Sequence, residues 1–437
     1  MKKIMTFIVS AFFLTACSSQ TNDKAVSEPI EQTPTEPVFM EYSADEFTDI
    51  SVNVSKQDTP PPAAIQEYDL SDITFGEKLP PCHLPENRKE YLGELVRNQM
   101  EGGSLKGLEQ YLEIYKDSFD TPCSPNIKAA AFDGERVYYI VDYDYHHYRN
   151  CTHCFDIYSY DPKTAENKCV FEYSDVSQYI DPLQLKWHDG SLWLSGNDST
   201  DAAIYRVDME AGKLADAKTF ADCYYVSFNE HSGDKLIAEV NTNRCELWER
   251  SDETKEWEMI HSGGDFPSMY CGEIVSENVA DRELTVECSS FKLNTGLRKG
   301  TLEAASQNNL SFITVDSVSS FLYTYNLPEK ERYILDLTAI GESIHVYPLG
   351  DNVILKQGDG YFAYVIPKLG AVFNLMNSAI SDPMDPKTGE VAYSAIYGGK
   401  AALLKTAEPK NAIYSSDKID FSPSEDPLLK KLLIIEE

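Results

Sequence analysis

From about residue 120 onward, short apolar and aromatic runs alternate with clusters of Asp, Asn, Gly and Pro. Runs of this length between turn formers predict short strands rather than helices. The runs repeat. An aromatic or apolar residue in a strand leads into a polar turn at Tyr158, Tyr205, Trp248, Phe291, Tyr323, Tyr364 and Leu404, in steps of 47, 43, 43, 32, 41 and 40 residues. A second feature precedes several units. Asp133-Gly134, Asp189-Gly190, Gly233-Asp234, Gly350-Asp351 and Gly389 each introduce another apolar run, and Gly and Asp supply the backbone geometry that a tight turn needs. The one helical pattern lies within 86–118. Tyr91, Leu92, Leu95 and Val96 share one face, and Leu105, Leu108, Tyr111, Leu112 and Tyr115 share another beyond Gly102-Gly103.

Units of about 40 residues, each with about four short strands, are characteristic of a β-propeller, in which each blade leaves apolar faces that only its neighbours cover. The order of turn, inner strand and Tyr-x-x-Asp-x-x-Thr/Gly, as in Tyr158-Ser159-Tyr160-Asp161-Pro162-Lys163-Thr164, resembles bacterial β-propeller repeat proteins. The expected fold is therefore all-β, a propeller of seven blades over 120–416, with a short helical extension over 66–119. A pair of β-sandwiches is the competing architecture. The Trp-Asp dipeptide of WD repeats, the Asp-box of sialidases and the double glycine of kelch blades are absent. The tail, 417–437, carries Leu428-Leu429-Lys430-Lys431-Leu432-Leu433-Ile434-Ile435, which suits either a ring-closing strand or a short helix.

The first residues form a different pattern. Met1-Lys2-Lys3 precedes an apolar run from Ile4 to Leu14, too short for the roughly 20 residues that span a bilayer. Leu14-Thr15-Ala16-Cys17 resembles the lipobox of bacterial lipoproteins. That resemblance implies a signal peptide over 1–16, cleavage before Cys17, and lipid on the Cys17 thiol as the only covalent cofactor. Residues 17–65, rich in Ser, Thr, Pro, Glu and Gln, are expected to be a disordered tether. The expected location is extracytoplasmic, on the cell membrane or outer membrane, with the membrane engaged through the lipid.

Charge narrows the partners. A formal net charge of −33 repels nucleic acid, so none is expected, and a protein or glycan ligand is favoured. Ten cysteines less Cys17 leave nine, an odd count that in an oxidising compartment suggests several disulfides and one free thiol.

Candidate chemistry concentrates in one insertion. Phe132 and Trp187 are 55 residues apart, against 41 for Trp187 and Phe228. The excess holds Asp142-Tyr143-Asp144-Tyr145-His146-His147-Tyr148 and Cys151-Thr152-His153-Cys154. Three readings compete. The loop is a hairpin pinned by a disulfide, within Cys151–Cys154 or to Cys169. It is a metal or redox module, with Asp144, His146, His147, Cys151, His153 and Cys154 as ligands. Or Tyr143, Tyr145, His146, His147 and Tyr148 offer flat faces with polar tips to a ligand. No Gly-x-Ser-x-Gly elbow, His-Glu-x-x-His, P-loop or dinucleotide glycine motif is present, so no catalytic set is assigned. His83, His188, His231, His261 and His345 lie far apart in sequence and are expected in turns or core. The expected function is non-catalytic binding or scaffolding. The alternative is a propeller hydrolase or lyase acting on glycans.

Overall fold

The computed structural model describes residues 39–53, 55–57, 65–76, 78, 125–143, 154–173, 180–197, 201–223, 225–232, 235–264, 266–270, 272–280, 283–306, 308–315, 319–338, 344–357, 361–377, 390–407 and 428–436. Four strands come first: β1 (Met40–Ser43), β2 (Thr48–Val52), β3 (Ser55–Gln57) and β4 (Ile65–Asp69). Seven blades follow. Blade 1 is β5 (Asn126–Phe132), β6 (Val137–Tyr143), β7 (Cys154–Asp161) and β8 (Glu166–Tyr173). Blade 2 is β9 (Asp181–His188), β10 (Ser191–Asn197), β11 (Ala202–Asp208) and β12 (Lys213–Phe220). Blade 3 is β13 (Val226–Phe228), β14 (Ile237–Asn241), β15 (Cys245–Arg250) and β16 (Trp257–Gly263).

Blade 4 is irregular. A hairpin of β17 (Met269–Tyr270) and β18 (Glu273–Ile274) runs on, through Val275 alone, into β19 (Ser276–Ala280), β20 (Glu283–Glu287) and β21 (Phe291–Asn294). Blade 5 is β22 (Thr301–Ala305), β23 (Asn309–Val315), β24 (Ser320–Asn326) and β25 (Glu331–Asp336). Blade 6 is β26 (His345–Leu349), β27 (Asn352–Gln357), β28 (Tyr361–Ile366) and β29 (Ala371–Asn377). Blade 7 takes β30 (Glu390–Tyr397), β31 (Lys400–Ala407) and β32 (Leu429–Glu436) from its own segment, and β4 as its fourth strand, antiparallel to β32. The seven-bladed propeller expected from the repeat is therefore the fold. Of the two forms left open for the tail, the strand is the one adopted.

Each blade is covered on both faces, which is why its middle strands are nearly continuous apolar runs. Every position of β6 is buried. Val137, Tyr139, Val141 and Tyr143 pack toward blade 7, while Tyr138 and Ile140 pack toward blade 2. The core is accordingly a set of clusters between successive blades rather than one central mass. First strands of neighbouring blades approach one another, so they line the central channel. The Asp-Gly pairs turn the first strand into the second. Asp189 and Gly190 both have positive φ, 45° and 69°, the geometry that a two-residue hairpin turn demands. The strand that follows such a turn is thus the second from the channel. Gly389 lies outside the described residues, and the corresponding turn of blade 7 is Gly398-Gly399.

The stretch expected to be a tether is partly structured. β1, β2 and β3 form a belt parallel to β21, β25 and β29: β2 and β3 add a fifth strand outside blades 5 and 6, and β1 is the fourth strand of the blade 4 sheet. A composition too polar to form a core still folds here, because its backbone groups pair with open sheet edges and one aromatic, Phe47, is buried between blades 4 and 5. Residues 66–69 of the expected helical extension belong to β4. The helical pattern of 86–118 and the first 38 residues, Cys17 among them, lie outside the described residues.

Candidate functional site

Blade 1 places two of the candidate site residues. Tyr143 closes β6, Cys154 opens β7, and the two are paired across the hairpin. Both are buried toward blade 7. Asp144, Tyr145, His146, His147, Tyr148, Cys151 and His153 lie outside the described residues. Beneath this hairpin, Asp156 is 1% exposed and bonded to Lys78, whose Nζ lies 2.6 Å from its carboxylate. The same ammonium sits 5.1 Å above the Tyr143 ring, and the Tyr143 hydroxyl donates to Asp156 at 3.4 Å. Burial pushes the Asp156 carboxyl up, with Lys78 pulling against it. Burial also disfavours the Lys78 ammonium, but the Asp156 hydrogen bond and charge outweigh this and raise its pKa. On the opposite face of the blade, Lys128 joins the buried Asp142, at 3.3 Å, to Asp181 of blade 2.

The cysteine readings fare unequally. Cys154 and Cys169 carry free thiols. Register excludes a bridge between them: Cys169 lies opposite Tyr158, four positions along β7 from Cys154. That is roughly 13 Å of strand, against the 7 Å limit between bridged Cα atoms. Cys223, Cys245 and Cys288 are free as well. Burial pushes the Cys154 thiol up to about 11, with Lys78 opposing, so the thiol form dominates over the thiolate at neutral pH. Among the described residues no group of three or more His, Cys, Asp or Glu side chains is placed to hold a metal ion.

A second constellation, which sequence spacing does not reveal, forms near the channel. His231, in the connection between β13 and β14 of blade 3, stacks on Tyr347 of blade 6, with centroids 5.4 Å apart and planes 5° apart. His231 Nδ1 is buried and has no hydrogen-bond partner among the described residues. Burial lowers the His231 pKa, His345 and Lys186 act the same way, and Glu230 opposes them. On the blade 5 side, Glu303 faces His345 Nδ1 at 3.7 Å, and its pKa is raised by burial. Toward blade 2, Lys186 Nζ donates to the Asn229 carbonyl at 2.8 Å and to Ser232 Oγ at 2.7 Å. Glu239 accepts from Asn229 Nδ2 at 2.6 Å and Ser227 Oγ at 3.3 Å, and burial raises its pKa too. Two histidines expected to be isolated, His231 and His345, therefore belong to one electrostatic group. The only sequence signal was the polar run Asn229-Glu230-His231-Ser232 directly after a first strand. His188 remains separate, with Nε2 2.9 Å from Asp252 Oδ1.

No protein-family pattern matches the sequence, and no curated protein matches it. Several solved structures are similar to this chain. The β-propeller domain of the Trilobed protease from Pyrococcus furiosus is 11% identical, with a TM-score of 0.43, over 69% of this chain and 97% of that one. Polysaccharide lyase Uly1 is 9% identical, with a TM-score of 0.41, over 72% and 90%. An acylaminoacyl peptidase from Pyrococcus horikoshii is 10% identical, with a TM-score of 0.34, over 66% and 58%. At these identities the likeness reaches no further than fold.

Proposed function

We propose that this chain is a lipid-anchored extracytoplasmic protein whose propeller binds a protein or glycan partner and performs no chemistry on it. The anchoring part rests on Leu14-Thr15-Ala16-Cys17 after a short apolar run. Lipid on Cys17 is the membrane partner and the one cofactor of this reading. The observation that carries the non-catalytic part is that Lys186 and Glu239, beside the channel, are engaged by neighbouring groups of the ring. Lys186 is bonded to Asn229 and Ser232, and Glu239 to Asn229 and Ser227. Such groups hold a shape, whereas a catalytic acid or base must face its substrate. Membrane fractionation of Cys17→Ala tests the anchor: the substituted protein should leave the membrane pellet, and retention there refutes lipid anchoring. The intact protein should bind, without turnover, an extracellular protein or a glycan from an array.

One observation favours a second reading. Burial holds both Glu239 and Glu303 toward the protonated form that a general acid requires, as in glycan hydrolysis or elimination. Turnover of any glycan that disappears in Glu239→Gln or Glu303→Gln would replace the binding reading with this one.

A further inference from the structure

The belt is not needed to complete blades 5 and 6. Each has four strands of its own, whereas in blade 4 β1 is the fourth strand, beside β21, of a sheet that otherwise holds three. Among the described residues, blades 1, 2 and 3 have no fifth strand. On blade 5 the belt is seated like a ligand on a formed receptor. Its backbone continues the sheet edge: Met40 N–H donates to the Ser290 carbonyl at 3.1 Å and Thr48 N–H to the Lys330 carbonyl at 2.9 Å. Its aromatic anchor, Phe47, meets Tyr325 edge-on at 5.3 Å in the cleft between blades 4 and 5. Two positions on, Asp49 receives a fork from Arg332, Nε to Oδ1 at 2.6 Å and Nη2 to Oδ2 at 2.7 Å. Glu46 pairs with Lys330.

The receptor side is held by the ring itself. Arg332 Nη1 donates to the Thr295 carbonyl at 3.1 Å and to the Tyr325 hydroxyl at 3.3 Å, and that hydroxyl donates to the Thr295 carbonyl at 2.6 Å. The guanidinium therefore stays aimed outward whether or not Asp49 is present, and a fixed fork is the geometry that selects a carboxylate. The ring also makes room for a second backbone. A Cβ at Gly296 would meet Ala44 Cβ at 2.8 Å, and one at Gly370 would collide with Val52.

We propose that the outer edge of blades 4 and 5 is a docking groove for an extended acidic peptide, in which an aromatic residue is followed two positions later by a carboxylate, and that residues 40–52 occupy and mask it in cis. The mode is strand addition, with backbone bonds giving affinity and the Phe47 cleft and Arg332 giving selectivity. The inference stands on the belt geometry alone and holds whether the channel binds or catalyses.

A tethered segment competes at an effective concentration on the order of millimolar, so micromolar peptide should not enter the wild-type groove. The test uses the full chain and a fluorescent peptide of residues 39–53, read by anisotropy. Phe47→Ala/Asp49→Ala should bind the peptide saturably, at least about tenfold more tightly than wild type, because its own belt competes less well. Adding Arg332→Gln to that variant should weaken uptake at least about tenfold, as loss of a charged fork does. If truncating Phe47 impairs folding, Glu46→Ala/Asp49→Ala removes only surface carboxylates and asks the same question. A folded variant that takes up no peptide, or takes it up regardless of Arg332, overturns the proposal.

Discussion

Phe47→Ala separates a belt that opens by itself from one that opens only with the ring. Phe47 is 7% exposed and lies in the cluster shared by blades 4 and 5. Truncating a buried Phe costs about 3–5 kcal/mol, and a peripheral strand that relaxes toward solvent falls at the lower end. About 3 kcal/mol corresponds to roughly a hundredfold in an opening equilibrium. If belt and ring open independently, hydrogen exchange of residues 40–52 should accelerate by about that factor while the middle strands of blade 6 keep their rates. The thermal midpoint of the ring should then shift little. Mass-spectrometric exchange read peptide by peptide measures both regions in one experiment. Loss of protection in blade 6 in step with the belt would refute the reasoning, because Phe47 would then belong to the global unfolding unit. An unchanged belt rate would refute it from the other side.

Three further outcomes follow from the buried groups. Cys154, with its thiol at about 11, should resist iodoacetamide at pH 7.5 in the native protein and react after unfolding; native labelling measured by mass spectrometry refutes the burial argument. Glu239 has a pKa raised above the ordinary 4.5, so its contribution to stability is present below that pH and lost as pH rises through the raised folded value. Glu239→Gln should therefore raise the thermal midpoint at pH 8 and leave it nearly unchanged at pH 4, and equal shifts at both would contradict the sign. His231 has a pKa lowered from 6.5, so its contribution is present above that value and lost as pH falls through the depressed one. His231→Phe keeps a ring on Tyr347 without a charge to acquire, and its midpoint should fall less steeply than wild type on acidification; parallel slopes count against the assignment.

The repeat was legible because the third strand of a blade packs against neighbours on both faces and carries an aromatic or aliphatic residue at each recurrence, half-buried at Tyr158, Trp248 and Tyr323. Tyr158, Tyr205, Trp248, Tyr323 and Tyr364 all sit on the third strand of blades 1, 2, 3, 5 and 6. The irregular members have structural reasons. Phe291 belongs to the last strand of blade 4, so the step after it looks short, and Leu404 lies on the second strand of blade 7. The belt left no such trace. Strand addition relies on backbone hydrogen bonds, which every sequence without proline offers, and its inward face is marked only by the buried Phe47 and the half-buried Tyr42, Ile50 and Val52. The His231–Tyr347 stack was equally hidden, since it joins blades that are not sequence neighbours and no spacing rule connects them.

Blade 7 closes the ring with strands from distant parts of the chain, as the Lys431–Glu67 pair, 364 residues apart, illustrates. Closing a loop of that length costs about 5 kcal/mol in chain entropy by the logarithmic law, and contacts so remote form slowly. Until β4 docks, the outer edge of β32 presents unpaired backbone groups beside a nearly continuous apolar run, a surface that other chains can extend. The vulnerable species of this protein is therefore an open six-and-three-quarter-bladed arc. Whatever delays the meeting of Ile65–Asp69 with Leu429–Glu436 should increase aggregation before it measurably lowers the stability of the closed form.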